Sequence, residues 1–346
     1  MLFNSYQFIA FYALFFLAFF AWRNVKIQVA LIVVGSLFFY GAWHPAYVLL
    51  VLVVTAIAYA AQVWKDAKRV TAVTVALLLA ILFVFKYFNF FVEQVARLGI
   101  TMNQSTLLLP VGISFYVFHA ISYIVDRKKY DFGEISFARL IAYIVFFPQL
   151  VAGPIIRASV FLPQLKTARL FNKHQFVTGI MLFCMGMFKK VVIADNLGVF
   201  VDQVYGGAGQ TTAANHWLAF YFYAFQIYFD FCGYSEMAIG ISRTLGFKFP
   251  KNFDRPYLSA SITEFWRRWH ISLSSFLRDY LYIALGGNRR GALRRYLNLG
   301  ATMLLGGLWH GASWAFVLWG ALHGGYLMIN HGWRALLGTE RLTRLQ

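Results

Sequence analysis

The chain is 346 residues long, 60% hydrophobic and 19% aromatic, with only 13% charged residues, where a soluble domain carries roughly 25%. Long apolar runs recur from end to end, which excludes a soluble globular protein and reads as an all-α, polytopic integral membrane protein; the alternation of a membrane barrel, in segments of about 10 residues, is absent. The net charge of +18 is dispersed between apolar segments, as orientation signals and lipid-headgroup contacts require, so a lipid bilayer is the expected partner and nucleic acid is not.

In chain order, residues 6–22 form the first expected span, followed by Arg23 and Lys26. This run has no basic leader and no small-residue cleavage site, so it reads as a span and not as a removed signal. Residues 29–43 form the second span and end at His44-Pro45. Residues 46–64 form the third, followed by Lys65, Lys68 and Arg69. Residues 70–92 form the fourth, followed by Glu93 and Arg97, and residues 106–125 form the fifth, followed by Arg127, Lys128 and Lys129. Lysine and arginine crowd the connections after the odd-numbered spans, so the positive-inside rule puts those loops in the cytoplasm and the N-terminus outside.

Beyond Tyr130 the pattern loosens. Residues 137–151 are apolar but short, and they run into Pro148-Gln149-Leu150-Val151-Ala152-Gly153-Pro154-Ile155. Two prolines and a glycine forbid one regular helix there. Irregular backbone at membrane depth survives only under protein or beside a water-filled cavity, so the segment reads either as a re-entrant piece or as an interfacial loop. Residues 176–204 are interrupted by Lys189-Lys190 and Asp195, and neither half reaches the roughly 20 residues of a span. The lysines either end a span or face a polar cavity. Residues 215–245 are long and aromatic, with Asp230 between Phe229 and Phe231. Asp230 could hydrogen-bond Tyr234 one turn on, in a packing or a chemical role.

Residues 261–287 predict a single amphipathic helix. Ser261-Ile262-Thr263-Glu264 fits a capping box and Gly286-Gly287 a stop. At 100° per residue, Trp266, Trp269, His270, Leu273, Leu277, Tyr280 and Leu281 share one face, while Arg267, Arg268, Ser275, Arg278 and Asp279 share the other. The basic face suits a cytoplasmic interface or a wet cavity. Arg289, Arg290, Arg294 and Arg295 then make a basic turn before a further apolar stretch at 296–309 and a last one at 314–330, which contains His323. With no internal repeat or linker, residues 1–346 read as a single membrane domain.

The chemistry concentrates in Gly306-Gly307-Leu308-Trp309-His310-Gly311-Ala312-Ser313-Trp314. An ionisable side chain in an apolar segment costs about 2.5–3.5 kcal/mol on insertion scales, which makes His310 a functional candidate, with packing against a neighbouring helix as the plainer reading. The flanking glycines admit a close backbone approach. His270 is the second histidine in an apolar setting, where a satisfied core residue is the commoner outcome. Imidazole suits removal of a proton from a hydroxyl that attacks a thioester. Walker, dinucleotide-binding, H-E-x-x-H and G-x-S-x-G motifs are absent, the acidic residues and histidines are too scattered for a metal site, and Cys184 and Cys232 have no partner pattern.

Five stretches, in this order, resemble the membrane-bound O-acyltransferase (MBOAT) family, in its AlgI-like alginate and polysaccharide O-acetylation branch, related to DltB. They are residues 147–155, Gln226-Ile227-Tyr228-Phe229-Asp230-Phe231-Cys232-Gly233-Tyr234-Ser235, Lys251-Asn252-Phe253-Asp254-Arg255-Pro256-Tyr257, Glu264-Phe265-Trp266-Arg267-Arg268-Trp269-His270-Ile271-Ser272-Leu273-Ser274, and Gly306-Gly307-Leu308-Trp309-His310-Gly311. The resemblance implies a ring of transmembrane helices, with re-entrant or interfacial helices, around a tunnel. It implies that His310 is the signature histidine of acyl transfer and His270 its partner. Trp309, Trp266, Arg268, Lys189 and Lys190 are then candidates for binding substrate. It implies acetyl-CoA as the acyl donor with no permanently bound cofactor, a polysaccharide acceptor, an extracytoplasmic acetyltransferase partner and a bacterial inner-membrane location. It also implies a chain shortened at its C-terminal end relative to the family. The rival readings are a transporter or flippase, which would depend on Asp230 more than on His310, and a non-catalytic scaffold of an export complex, which would tolerate loss of either.

Overall fold

The computed structural model describes residues 1–63, 67–100, 102–151, 153–207, 211–289 and 291–337; Lys65, Ala152 and Arg290, used above, lie outside these. Among the described residues every regular element is helical, as expected. The helices fall into two compact units, Met1–Val63 with Asp126–Lys251 and Trp64–Val125 with Asn252–Gln346.

The first unit holds α1 (Tyr6–Ala21), α2 (Val25–Gly41), α3 (Ala46–Ala60), α6 (Phe137–Ile144), α7 (Lys173–Tyr205) and α8 (Ala213–Thr244). Side chains of Ser5, Asn24, Ser136, Asn172 and Thr212 accept first-turn amides and so start five of these helices. The core is aromatic. Phe147, wholly buried, meets Phe15 at 5.2 Å and Phe11 at 5.3 Å, both edge-on.

The irregular stretch after α6 is covered by protein. It holds one helical turn, Phe147–Leu150, and residues 140–150 are buried throughout. The Phe147 amide donates to Ser36 Oγ at 3.1 Å, Tyr143 Oη to the Ile156 carbonyl at 2.8 Å, and Gln149 Nε2 to the Tyr143 carbonyl at 2.6 Å. These bonds replace the helical ones that the prolines remove, which is how a broken backbone survives in apolar surroundings.

Of the two readings of the lysine pair, the end of a span is ruled out. Helix α7 runs unbroken for 33 residues, because the interruption is absorbed by a π-helical segment, Phe188–Ala194. Both lysines find carboxylates there. Lys189 pairs with Glu236 at 2.5 Å, and Lys190 with Asp230 at 2.5 Å and Asp195 at 2.6 Å. Asp230 therefore serves an ion pair across α7 and α8, in place of the expected bond to Tyr234. The two helices touch through glycine. A Cβ on Gly186 would stand 2.5 Å from the Gly233 carbonyl oxygen, and Gly179 and Gly240 repeat the contact two turns away.

The second unit holds α4 (Lys68–Ala96), α5 (Ile113–Asp126, ending at the boundary), α9 (Ile262–Arg268), α10 (Ile271–Leu277), α11 (Gly291–His310) and α12 (Trp314–Leu336). By length and composition α4 and α7 can each cross a membrane. Helices α1, α2, α3 and α5 are apolar but only 10–17 residues long; α1, α3 and α5 are shorter than their expected spans, while α2 starts before its expected span. Helix α5 starts late because Pro110 and Gly112, at φ 75°, form the turn that opens it.

The expected single helix over residues 261–287 is two. Ser261 Oγ accepts the Glu264 amide at 3.2 Å and Glu264 Oε2 accepts the Ala260 amide at 2.9 Å, so the capping motif stands, displaced by one residue on the return bond. After Arg268 the chain turns, and His270 takes a left-handed conformation at φ 41°. The cause lies in residues 252–254. The Asp254 amide donates to the Arg268 carbonyl at 2.9 Å, and the Ile271 amide to the Asn252 carbonyl at 2.9 Å. Asn252 Oδ1 then accepts the Ser272 amide at 3.2 Å and the Ser272 hydroxyl at 2.9 Å. This distant asparagine caps α10. Gly286 and Gly287, both at positive φ, close the segment as anticipated.

Candidate functional site

His310 is the last residue of α11, and its position is set by what holds the end of that helix. The final carbonyls of a helix have no partner within it. Here α4 supplies them. Its π-helical segment, Phe83–Tyr87, displaces two side chains, so that Tyr87 Oη donates to the Leu308 carbonyl at 2.9 Å and Lys86 Nζ donates to the Trp309 carbonyl. Lys86 Nζ also donates to Ser114 Oγ at 3.2 Å and lies 5.5 Å from the centre of the Trp309 ring. The return into α12 is tight. Gly307 faces the Phe316 carbonyl, and a Cβ on Gly320 would stand 2.5 Å from the Met303 carbonyl oxygen.

His270 arrives from the turn between α9 and α10. It is 1% exposed, with its ring stacked over Phe253 at 6.3 Å. Trp309 joins the two histidines. Its ring centre lies 5.9 Å from that of His270 and 5.0 Å from that of His310. Phe118 supports the group from α5, stacked on Phe276 at 4.3 Å and on Trp309 at 5.7 Å.

A cavity of about 500 Å³ opens beside this cluster within the second unit. His310, Trp266, Trp319, Ser274, Thr302 and His331 line it, with Arg267, Arg278 and Arg295 contributing positive charge. Asp279 accepts from Arg278 Nε at 2.7 Å and raises the pKa of that guanidinium further. The indole N–H groups of Trp266 and Trp309 are buried and have no hydrogen-bond partner among the described residues. A half-buried imidazole on the wall, basic side chains and a mostly apolar lining are what a thioester with an anionic carrier would need.

Of the residues singled out from sequence, His310 and Trp266 line this cavity, while His270 and Trp309 pack behind them. Arg268 is held by Glu264 at 2.6 Å and is not among the lining residues. Lys189 and Lys190 belong to the other unit, in the ion pairs described above. Sequence reasoning passed over His331 and Trp319, and placed Arg267 and Arg278 on a polar face and Arg295 in a basic turn without assigning them a task. The signal for α12 was readable, since Trp319, His323, Leu327 and His331 recur every fourth residue along one side of a helix. Among the described residues no cluster of three or more metal-ligating side chains occurs.

Among the described residues the fold around this cavity is all-helical, with long apolar helices that suit a membrane protein. Residues 36–345 match the MBOAT profile, and the chain belongs to the membrane-bound O-acyltransferase family. It is 42% identical to the probable alginate O-acetylase AlgI of Pseudomonas putida, over 95% of this chain and 70% of that protein. It is 36% identical to the peptidoglycan O-acetyltransferase of Helicobacter pylori, over 87% of this chain and 64% of that protein. With the teichoic acid D-alanyltransferase of Streptococcus thermophilus it shares 32% identity, over 67% of this chain and 60% of that protein.

Proposed function

We propose that the chain transfers an acetyl group from a cytoplasmic thioester, acetyl-CoA, for O-acetylation of an exported or cell-surface polysaccharide such as alginate. The observation that carries this reading is His310 on the wall of the basic, apolar-lined cavity, with Trp309 packed between it and His270. In the step envisaged, an acceptor hydroxyl oxygen attacks the thioester carbonyl carbon while His310 takes the hydroxyl proton. The tetrahedral intermediate collapses, the carbon–sulfur bond breaks, and the same proton leaves on the thiol. The indole N–H of Trp266, on the cavity wall, is a donor suited to the carbonyl oxygen as it gains charge, and that of Trp309 lies buried behind it. Arg267, Arg278 and Arg295 would hold the phosphates of the carrier, and His270 would fix the Trp309–His310 pair. Transfer in a dry cavity protects the activated acyl group from water.

The reading extends to an extracytoplasmic acetyltransferase as acceptor partner, an inner-membrane location and an N-terminus outside. The test is CoA release from acetyl-CoA by membranes holding equal amounts of wild-type and His310→Ala protein, with the partner supplied. Release that falls by about 10²–10⁴-fold in the variant supports the role of His310. Equal release from both would sink it.

A further inference from the structure

A second cavity, of about 400 Å³, lies within the first unit, where α7 begins and α8 ends. His174, Gln175 and Thr178 of α7 line it together with Ile239 and Arg243 of α8 and the chain that follows, Gly246 to Phe249. That following chain is tied down by hydrogen bonds and packing. The Lys248 amide donates to Gln164 Oε1 at 2.8 Å, and Gln164 Nε2 donates back to the Lys248 carbonyl at 3.1 Å. Phe247 is buried against Phe146 at 5.2 Å and Phe161 at 5.3 Å.

Arg243 alone would be an ordinary cation at a helix end. Its company is what sets the cavity apart. Arg243, Lys248 and His174, all exposed, line one space, no carboxylate is among the residues lining it, and no side-chain hydrogen bond or ion pair ties any of the three to another described residue. The Lys189 and Lys190 ammonium groups on the same helix α7, by contrast, are both paired. Ile239, Phe247 and Phe249 supply an apolar wall beside the charges.

We propose that this cavity binds the phosphate headgroup of an anionic phospholipid. The chemistry selects a phosphate with net negative charge, since Arg243 and Lys248 line the cavity and no carboxylate is there to receive a choline. The apolar wall and the location select a lipid over a free phosphate. Helix α7 is long and apolar enough to cross a membrane, so its first turn stands at the depth of the headgroups, where each basic side chain adds to the attraction for anionic lipid. The site is independent of the acyl-transfer reading, because it uses none of the residues assigned there.

The test uses the whole chain, purified and delipidated in detergent, with short-chain phosphatidylglycerol, short-chain phosphatidylcholine and inorganic phosphate as probes. Binding is read as a saturable rise in melting temperature. Phosphatidylglycerol is expected to stabilise the wild type. Arg243→Gln with Lys248→Gln should weaken its apparent affinity by about tenfold or more, and Arg243→Lys should retain most of it. An unchanged starting melting temperature in the glutamine variants would show that they fold. Equal stabilisation by phosphatidylcholine, or an undiminished response in the double variant, would overturn the proposal. Full competition by inorganic phosphate would replace the lipid with a soluble anion and so overturn it as stated.

Discussion

Tyr87 Oη donates to the carbonyl of Leu308 at 2.9 Å, two residues before His310. With Lys86 on the next carbonyl, a bulge in one membrane helix caps the end of another. Removing the hydroxyl in Tyr87→Phe should cost about 1 kcal/mol of stability. Lys86→Met should go further and let the imidazole drift, lowering CoA release roughly 10²-fold while leaving the amount of protein in membranes unchanged. A Lys86→Met protein that turns over at the wild-type rate would remove the lysine from any part in placing His310.

Trp309 packs between His270 and His310 and carries a buried N–H without a partner among the described residues, and two substitutions separate packing from hydrogen bonding. Trp309→Ala leaves a hole between His270 and His310 and should destabilise the protein by about 3–5 kcal/mol, read as a lower melting temperature in detergent. Trp309→Phe fills much of the space but lacks the N–H. If it melts near the wild type yet releases CoA about tenfold or more slowly, the indole N–H serves the reaction; wild-type turnover would assign the ring to packing alone.

Asn252 lies outside both histidine motifs, yet it caps the helix that follows His270. Asn252→Ala should cost about 1–2 kcal/mol, the value of a lost cap, and should loosen His270 in the same stroke. The check is chemical denaturation beside Asn252→Asp, which keeps an acceptor and should recover most of the loss. Alanine with no effect would mean that the turn is held by its backbone bonds alone.

The α7–α8 contact makes a prediction far from the chemistry. Gly186→Ala would put a methyl group 2.5 Å from the Gly233 carbonyl oxygen, too close for the helices to keep their spacing. Overpacking of this kind costs roughly 1–3 kcal/mol. Thermal melts should show the loss at Gly186 and little change for Gly325→Ala, where nothing lies within 4 Å of an added Cβ.

The places where the sequence was readable and where it was not have physical causes. Ser261 announced its helix because capping is local chemistry within four residues. The break at His270 left no such mark. It is imposed by Asn252 and Asp254, whose backbone groups take over bonds that an uninterrupted helix would have made. Lys189 and Lys190 looked like a terminus because hydropathy counts charges one at a time, whereas Glu236, Asp230 and Asp195 neutralise them in space and a π turn absorbs the register. For the site, the two histidines stood out as ionisable anomalies in apolar runs, while Trp309, in a chain that is 19% aromatic, was marked only by the family resemblance. Arg267 and Arg268 could not be told apart by composition. Only the fold assigns one to the cavity and gives the other to Glu264.

At residue 270 the backbone and the side chain have opposite preferences. A left-handed conformation suits glycine and costs other residues about 1–2 kcal/mol, yet the imidazole there sits against the Trp309 ring that His310 also touches. The most relaxed occupant of the position would be one with no side chain at all. His270→Gly gives up the packing of the ring but removes that backbone cost, so it should melt above His270→Ala while being no more active. Selection for a sturdier protein and selection for acyl transfer would then pull this single position in opposite directions.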